Sequence, residues 1–219
     1  VEKLSIPQEF TSVSACVVIS IDNFGLAEIV NFKPAFLIQF MQRIILLDTT
    51  HPDAESITSY TVYGRATPDP FAPNLFTYLM ENNLTVHIVD RQEFMDRHVP
   101  DHSINRTVVT QDMQAWTAAT KALNRNHLVF VRFTDLDLMY QRYAGIQAPA
   151  EIVKKGLDRT SNWLKILFKQ AIAGTVFLVI GNHGTETTKD LDYGERGRQA
   201  EWRKANVPIG LLSLKTESS

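Results

Sequence analysis

Three stretches of this chain end in side chains able to hold a metal ion or move a proton. Phe177–Gly184 is an apolar run that stops at Asn182, His183 and a glycine. Ala15–Asp22 stops at a carboxylate, and Leu128–Asp137 stops at two, Asp135 and Asp137. Short apolar, β-branched runs bounded in this way read as buried strands with polar groups at their carboxyl tips. In open α/β sheets, ligands sit in the crevice beyond those tips. Acid, acid and Asn-His delivered from three strand ends would meet at one site. Carboxylate with imidazole suits Zn, and oxygen-rich sets suit Mg or Mn.

The elements that must deliver these groups follow from the hydrophobic pattern. The first strand spans about Ala15 to Ile21, and Asp22, Asn23, Phe24 and Gly25 form the turn out of it. Residues 26–47 read as one helix, with Pro34 near its start and Phe36, Leu37, Phe40, Ile44 and Leu47 on one stripe. Leu75 to Asn83 is a short helix, and Thr85 to Val89 a second strand. Residues 91–106 are polar and read as loop. Val108 to Leu123 is helical, with Met113, Trp116, Ala119 and Leu123 on one face. Tyr140 to Ala150 reads as loop. Glu151 to Ala173 is the clearest helix, with Pro149 ahead of it and Gly174 beyond it. A polar, glycine-punctuated loop over 184–206 leads to a last strand, Val207 to Ser213, in which Pro208 favours a sheet edge or the start of the strand.

Strands alternating with helices predict an α/β fold, a three-layer α/β/α arrangement around a mostly parallel central sheet. The 219 residues suit a single α/β domain over 1–219, with irregular tails at 1–14 and 214–219. Net charge is −2, from 24 acidic and 22 basic residues, which offers no electrostatic footprint for nucleic acid. No apolar run approaches the roughly 18 residues needed to span a bilayer. Cys16 is the only cysteine, which rules out an internal disulfide and a CxxC metal site, and its apolar neighbours make it a core residue. The composition assigns no compartment.

The order of these parts resembles the alkaline phosphatase superfamily, which includes phosphodiesterases of the nucleotide-pyrophosphatase type, sulfatases and cofactor-independent phosphoglycerate mutases. The resemblance covers most of the chain and is best over 125–213. It implies an alkaline-phosphatase-like core and a site with two divalent metals about 4 Å apart. One metal would sit between a first-strand Asp, a hydroxyl nucleophile and an Asp-His pair. The other would sit in an Asp-x-x-x-His and a later His. On this chain, Asp22 takes the place of the first Asp and Asp137 that of the Asp in Asp-x-x-x-His. His183 matches the His of the Asp-His pair, and the nucleophile falls at Ser56 or Thr58.

The departures carry as much information as the matches. Gln141 stands where the motif has His, and Asn182 where the pair has Asp. Tyr193 stands near the later His, and no histidine follows His183. A two-metal site of the family's kind is therefore not expected. A single divalent cation, Mg, Mn or Zn, on Asp22, Asp137, Asn182 and His183 is the most the site would hold, with no metal at all the other outcome.

Each residue also has a plainer reading. Asp22 is a turn former, Asp137 a cap for the next segment, His183 a backbone partner and Ser56 a helix N-cap. His98 and His102, with His51, read as solvated loop, and Arg196, Arg198 and Arg203 as a solvated face.

The functional expectation is a degenerate domain that has lost hydrolysis and serves as a binding or structural subunit beside a protein partner or in a larger complex. The alternative is a phosphoester or sulfoester hydrolase with a reduced one-metal site, acting on a small phosphorylated or sulfated ligand. A third reading is similarity of fold alone.

Overall fold

β1 (Ala15–Asp22) sends alternate side chains to opposite faces of a sheet, and both faces are covered. Val17, Ile19 and Ile21 point one way, and Val18 the other. In the computed structural model, which describes residues 13–40, 43–46, 73–99, 103–143, 148–182 and 209–217, β1 lies inside a seven-stranded sheet. The other strands are β2 (Arg43–Leu46), β3 (Val86–Asp90), β4 (Asn105–Val108), β5 (Leu128–Phe133), β6 (Thr175–Asn182) and β7 (Ile209–Leu214). The order is β2-β7-β6-β1-β5-β3-β4. β6, β1, β5, β3 and β4 run parallel, and β7 is antiparallel to both of its neighbours.

Helices form the two outer layers. On one face the core takes in Leu37 of α2 (Ala35–Phe40) and Ala115 and Ala119 of α5 (Asp112–Ala122). Leu157, Leu164, Leu167 and Phe168 of α7 (Ala150–Gln170) complete that layer. On the other face Phe76 of α3 (Leu75–Glu81) joins Phe94 and Met95 of α4 (Gln92–His98). There Phe130 meets Phe76 edge-on at 5.6 Å and stacks on Phe94 at 5.5 Å. The three-layer α/β/α fold with a mostly parallel sheet is as the sequence predicts. No helix among the described residues is long and apolar enough to cross a membrane.

Several boundaries differ from the sequence reading. The segment read as one helix over 26–47 is α1 (Leu26–Phe32), α2 and then strand β2. Lys33 ends α1 in the left-handed region (φ 46°), and Pro34 follows it. Arg43–Leu46 then pairs antiparallel with β7. A run this short, three apolar residues after an arginine, fits helix and strand patterns equally, and the free edge of β7 decides it. That pairing also places β7 inside the sheet, between β2 and β6, so of the two positions that Pro208 favours the edge is not observed; β7 is described from Ile209, and Pro208 itself lies outside the described residues.

The polar segment read as loop over 91–106 contains α4 and the first half of edge strand β4. His98, expected in solvated loop, is buried with its ring 4.4 Å from Phe94. β5 stops at Phe133, so Asp135 and Asp137 lie in the first turn of α6 (Asp135–Arg142), where a helix N-terminus favours negative charge. The loop expected from Tyr140 thus begins only after α6. Met113, placed inward by periodicity, is exposed. Cys16 is partly buried in β1, and burial pushes its thiol up to about 11, in keeping with a core role.

Candidate functional site

Parallel register brings the strand tips to one end of the sheet. Asp22 is opposite Asn182 across the β1–β6 pair, and Ile21 is opposite Phe133 across β1–β5. Alternation then selects the face. Asp22, Asp90 and Arg132 each stand an even number of residues from Val18, Ile88 and Phe130, so all three project toward the face those residues line.

Asp22 is fully buried at the β1 tip, and the guanidinium of Arg132 grips it. Arg132 Nε donates to Oδ1 at 3.1 Å and Oδ2 at 3.0 Å, and Nη2 donates to Oδ2 at 2.7 Å. This forked geometry is the strong form of a charge-assisted hydrogen bond. Arg132 Nη1 also lies 3.8 Å from Asp90 Oδ1 at the β3 tip. The guanidinium carbon sits 5.8 Å from the Phe94 ring centroid, so the group is walled on its apolar side. Burial opposes its charge, but Asp22 and Asp90 outweigh burial and bind its proton more tightly than usual.

Asp137, also buried, is held by two amides. Asn23 Nδ2 donates to its Oδ1, and Gln141 Nε2 donates to its Oδ2 at 2.7 Å. Asn23 is the residue after Asp22 and turns in the left-handed region (φ 58°), which aims its side chain at α6. Asp22 and Asp137 are therefore brought together through Asn23, and the charge of Asp137 reaches Arg132 as well.

A third buried carboxylate, Asp112 of α5, closes the start of α6. It accepts from the backbone N–H of Thr134 and of Asp135, each at 2.8 Å, and burial pushes it up to about 6. On the far side of the turn, Glu28 accepts from Gly25 N at 2.8 Å and from the Tyr140 hydroxyl at 2.9 Å, which ties α1 to α6.

Asp90 was not singled out by the sequence reading, nor was Arg132. Asp90 is fully buried; its Oδ1 accepts from Arg91 N at 2.6 Å, and its Oδ2 has no hydrogen-bond partner among the described residues. Burial pushes this carboxyl from its ordinary 3.8 up to about 7, against the pull of Arg132. The folded state therefore holds a proton that the unfolded chain gives up between those pH values. Stability from this group is present at low pH and is lost as pH rises through about 7. Asp90→Asn, which stays neutral, is expected to melt above wild type at pH 8, with the gap closing toward pH 4. Thermal melts across that range check it, and parallel curves would refute it.

Asn182 ends β6 opposite Asp22, and only its backbone is described. His183, Ser56, Thr58, Tyr193, His51, His102, Arg196, Arg198 and Arg203 lie outside the described residues. The donor set that is described does not fit a divalent ion. Both oxygens of Asp22 and both of Asp137 already accept from N–H groups. A cation at Asp22 would also stand against the positive charge of Arg132. Among the described residues no three His, Cys, Asp or Glu side chains are grouped to hold a metal. An open groove of about 720 Å³ lies elsewhere, between β4 and α5, and none of the strand-tip acids lines it.

No protein-family model matches the chain, and no curated protein matches it. Solved structures do. A protein in the alkaline phosphatase superfamily from Vibrio parahaemolyticus superposes with a TM-score of 0.64 at 12% identity, over 93% of this chain and 60% of that one. The lipoteichoic acid synthase LtaP from Listeria monocytogenes gives 0.60 at 10% identity, over 94% and 67%. Phosphonoacetate hydrolase from Sinorhizobium meliloti 1021, in complex with phosphonoformate, gives 0.56 at 13% identity, over 94% and 82%. The chain thus spans three fifths to about four fifths of these proteins, and what it shares with them is the fold.

Proposed function

We propose that this chain, which has the fold of alkaline phosphatase superfamily members, is a non-catalytic version of that scaffold acting as a binding or structural subunit. The observation that carries the reading is the state of Asp137. Gln141, four residues on where the resemblance expects a metal-binding His, donates its amide to this carboxylate at 2.7 Å. An amide nitrogen has no lone pair to offer a metal, so the substitution turns a ligand pair into a closed hydrogen bond. Asn23 occupies the other oxygen of Asp137. Asp22 is engaged likewise by Arg132, so neither carboxylate is left to depress the pKa of a hydroxyl nucleophile or clamp a leaving oxygen through a metal.

The test is direct. The purified protein is expected to carry no stoichiometric Zn, Mn or Mg by elemental measurement. It is also expected to turn over neither aryl phosphate nor aryl sulfate esters when each cation is added. A stoichiometric metal together with metal-dependent turnover would replace this reading with the one-metal hydrolase built on Asp22, His183 and Asp137, with Ser56 or Thr58 as attacking oxygen.

A further inference from the structure

We infer that Arg132 is the chain's built-in cation: its guanidinium, set between the carboxylates at the β1 and β3 tips, supplies the positive charge that a divalent ion would otherwise have to bring. The inference rests on the same geometry as the non-catalytic reading but concerns Asp22 and Asp90 rather than Asp137. A buried carboxylate is tolerated only when paired and hydrogen-bonded. Asp22 is fully buried in a sheet where β5 and β6 fill the space on either side of its strand. Some cation must therefore accompany it. Arg132 is placed for this by the strand pairing, since Ser20 lies opposite Arg132 and Asp22 is the next residue of β1 on that face.

Two further observations point the same way. The Arg132 side chain is only 10% exposed and its guanidinium lies against the Phe94 ring, so it is built into the core rather than resting on a surface. Among the described residues Asp90 Oδ2 is buried without a hydrogen-bond partner, although Arg132 stands 3.8 Å from the other oxygen of that carboxylate. A single guanidinium saturates Asp22 and leaves Asp90 half-served. An ion of charge two with bound waters would serve both. The acids at these tips therefore retain the capacity to take an oxygen-preferring divalent cation, and Arg132 keeps that capacity closed.

The experiment compares wild type, Arg132→Ala and the double variant Asp22→Asn/Arg132→Ala. Each is melted in EDTA and in rising Mg²⁺, Mn²⁺ or Ca²⁺. Wild type is expected to melt at one temperature throughout. Arg132→Ala is expected to melt far lower in EDTA and to climb with the logarithm of cation concentration, as ligand linkage requires. The double variant should be more stable than Arg132→Ala in EDTA and respond to no cation. If Arg132→Ala folds only when refolded with the cation, by near-ultraviolet circular dichroism, that supports the inference equally. An Arg132→Ala variant that stays unfolded or unchanged with every cation overturns it, as does a wild type stabilised as strongly as the variant. Ester turnover by a wild type whose melting no cation moves would sink the non-catalytic reading alone; cation-insensitive melting of both wild type and Arg132→Ala would sink this inference alone.

Discussion

Asp22→Ala is expected to lose about 3–5 kcal/mol of folding stability, the cost of breaking one side of a buried ion pair. The chain as a whole is expected to have only about 5–15 kcal/mol to lose. The size follows from what is left behind. Arg132 would keep its charge, because a guanidinium does not deprotonate in proteins. It would lose its three hydrogen bonds to Asp22, and the nearest carboxylate left to it would be Asp90, at 3.8 Å. Asp22→Asn keeps the shape and one acceptor oxygen, so it should fall between wild type and the Ala variant. The pair Asp22→Ala/Arg132→Met removes both charges and fills part of the volume. Replacing a buried pair by apolar groups is often neutral or better, so the double variant should recover most of the loss. Equilibrium unfolding in urea of all four proteins measures this as a double-mutant cycle. A cost under about 1 kcal/mol for Asp22→Ala, the value of a solvent-exposed pair, would mean that water reaches the site.

Gly181→Ala is the second large effect, and it comes from backbone sterics. Gly181 lies near the end of β6, paired with Ile21 of β1, and an added Cβ would overlap the carbonyl oxygen and carbon of Phe24. Phe24 is in the turn that leaves β1, next to Asn23 and just before α1. The obstacle is main chain, so no rotamer relieves it. β6 cannot move aside either, since β1 and β7 hold it on both edges. Overpacking of a core costs about 1–3 kcal/mol, occasionally more, and this position should reach the top of that range. Gly156 in α7 is the internal control. A Cβ there meets the terminal methyl of Met139, the far end of a flexible side chain. Helix propensity favours Ala over Gly by about 1 kcal/mol, so Gly156→Ala should be close to neutral. Urea unfolding of the two variants side by side gives the comparison, and equal effects would contradict the steric argument.

The consequence of Gly181→Ala reaches the site. The same turn carries Asn23, whose amide holds Asp137. Displacing Phe24 therefore shifts the donor that joins the β1 tip to α6.

Much of the architecture was legible in the chain itself. Apolar runs of strand length alternating with amphipathic helices identified β1, β3, β5, β6 and α7, and with them a parallel sheet covered on both faces. Such patterns are local, because burial on one or both faces is written into every second or every third to fourth residue. The exchange of a metal-binding His for Gln141 was legible for the same reason, being a matter of residue type and spacing. A signal for Arg132 was present too: it is the one charge inside Leu128–Phe133, a strand otherwise wholly apolar. A charge in such a run asks for a buried partner.

Which partner was beyond the sequence. Asp22 is 110 positions from Arg132 in the chain, and Asp137 is 114 from Asn23. Only the strand order, with β1 beside β5 and β3 on the far side of β5, sets Arg132 between two acids. The same is true of Arg43–Leu46 and of β7. Three apolar residues after an arginine do not choose between helix and strand, and a strand does not know whether it has one neighbour or two. Those choices are made by unsatisfied backbone N–H and C=O groups on an adjoining edge, and the chain encodes that edge only through its complete fold.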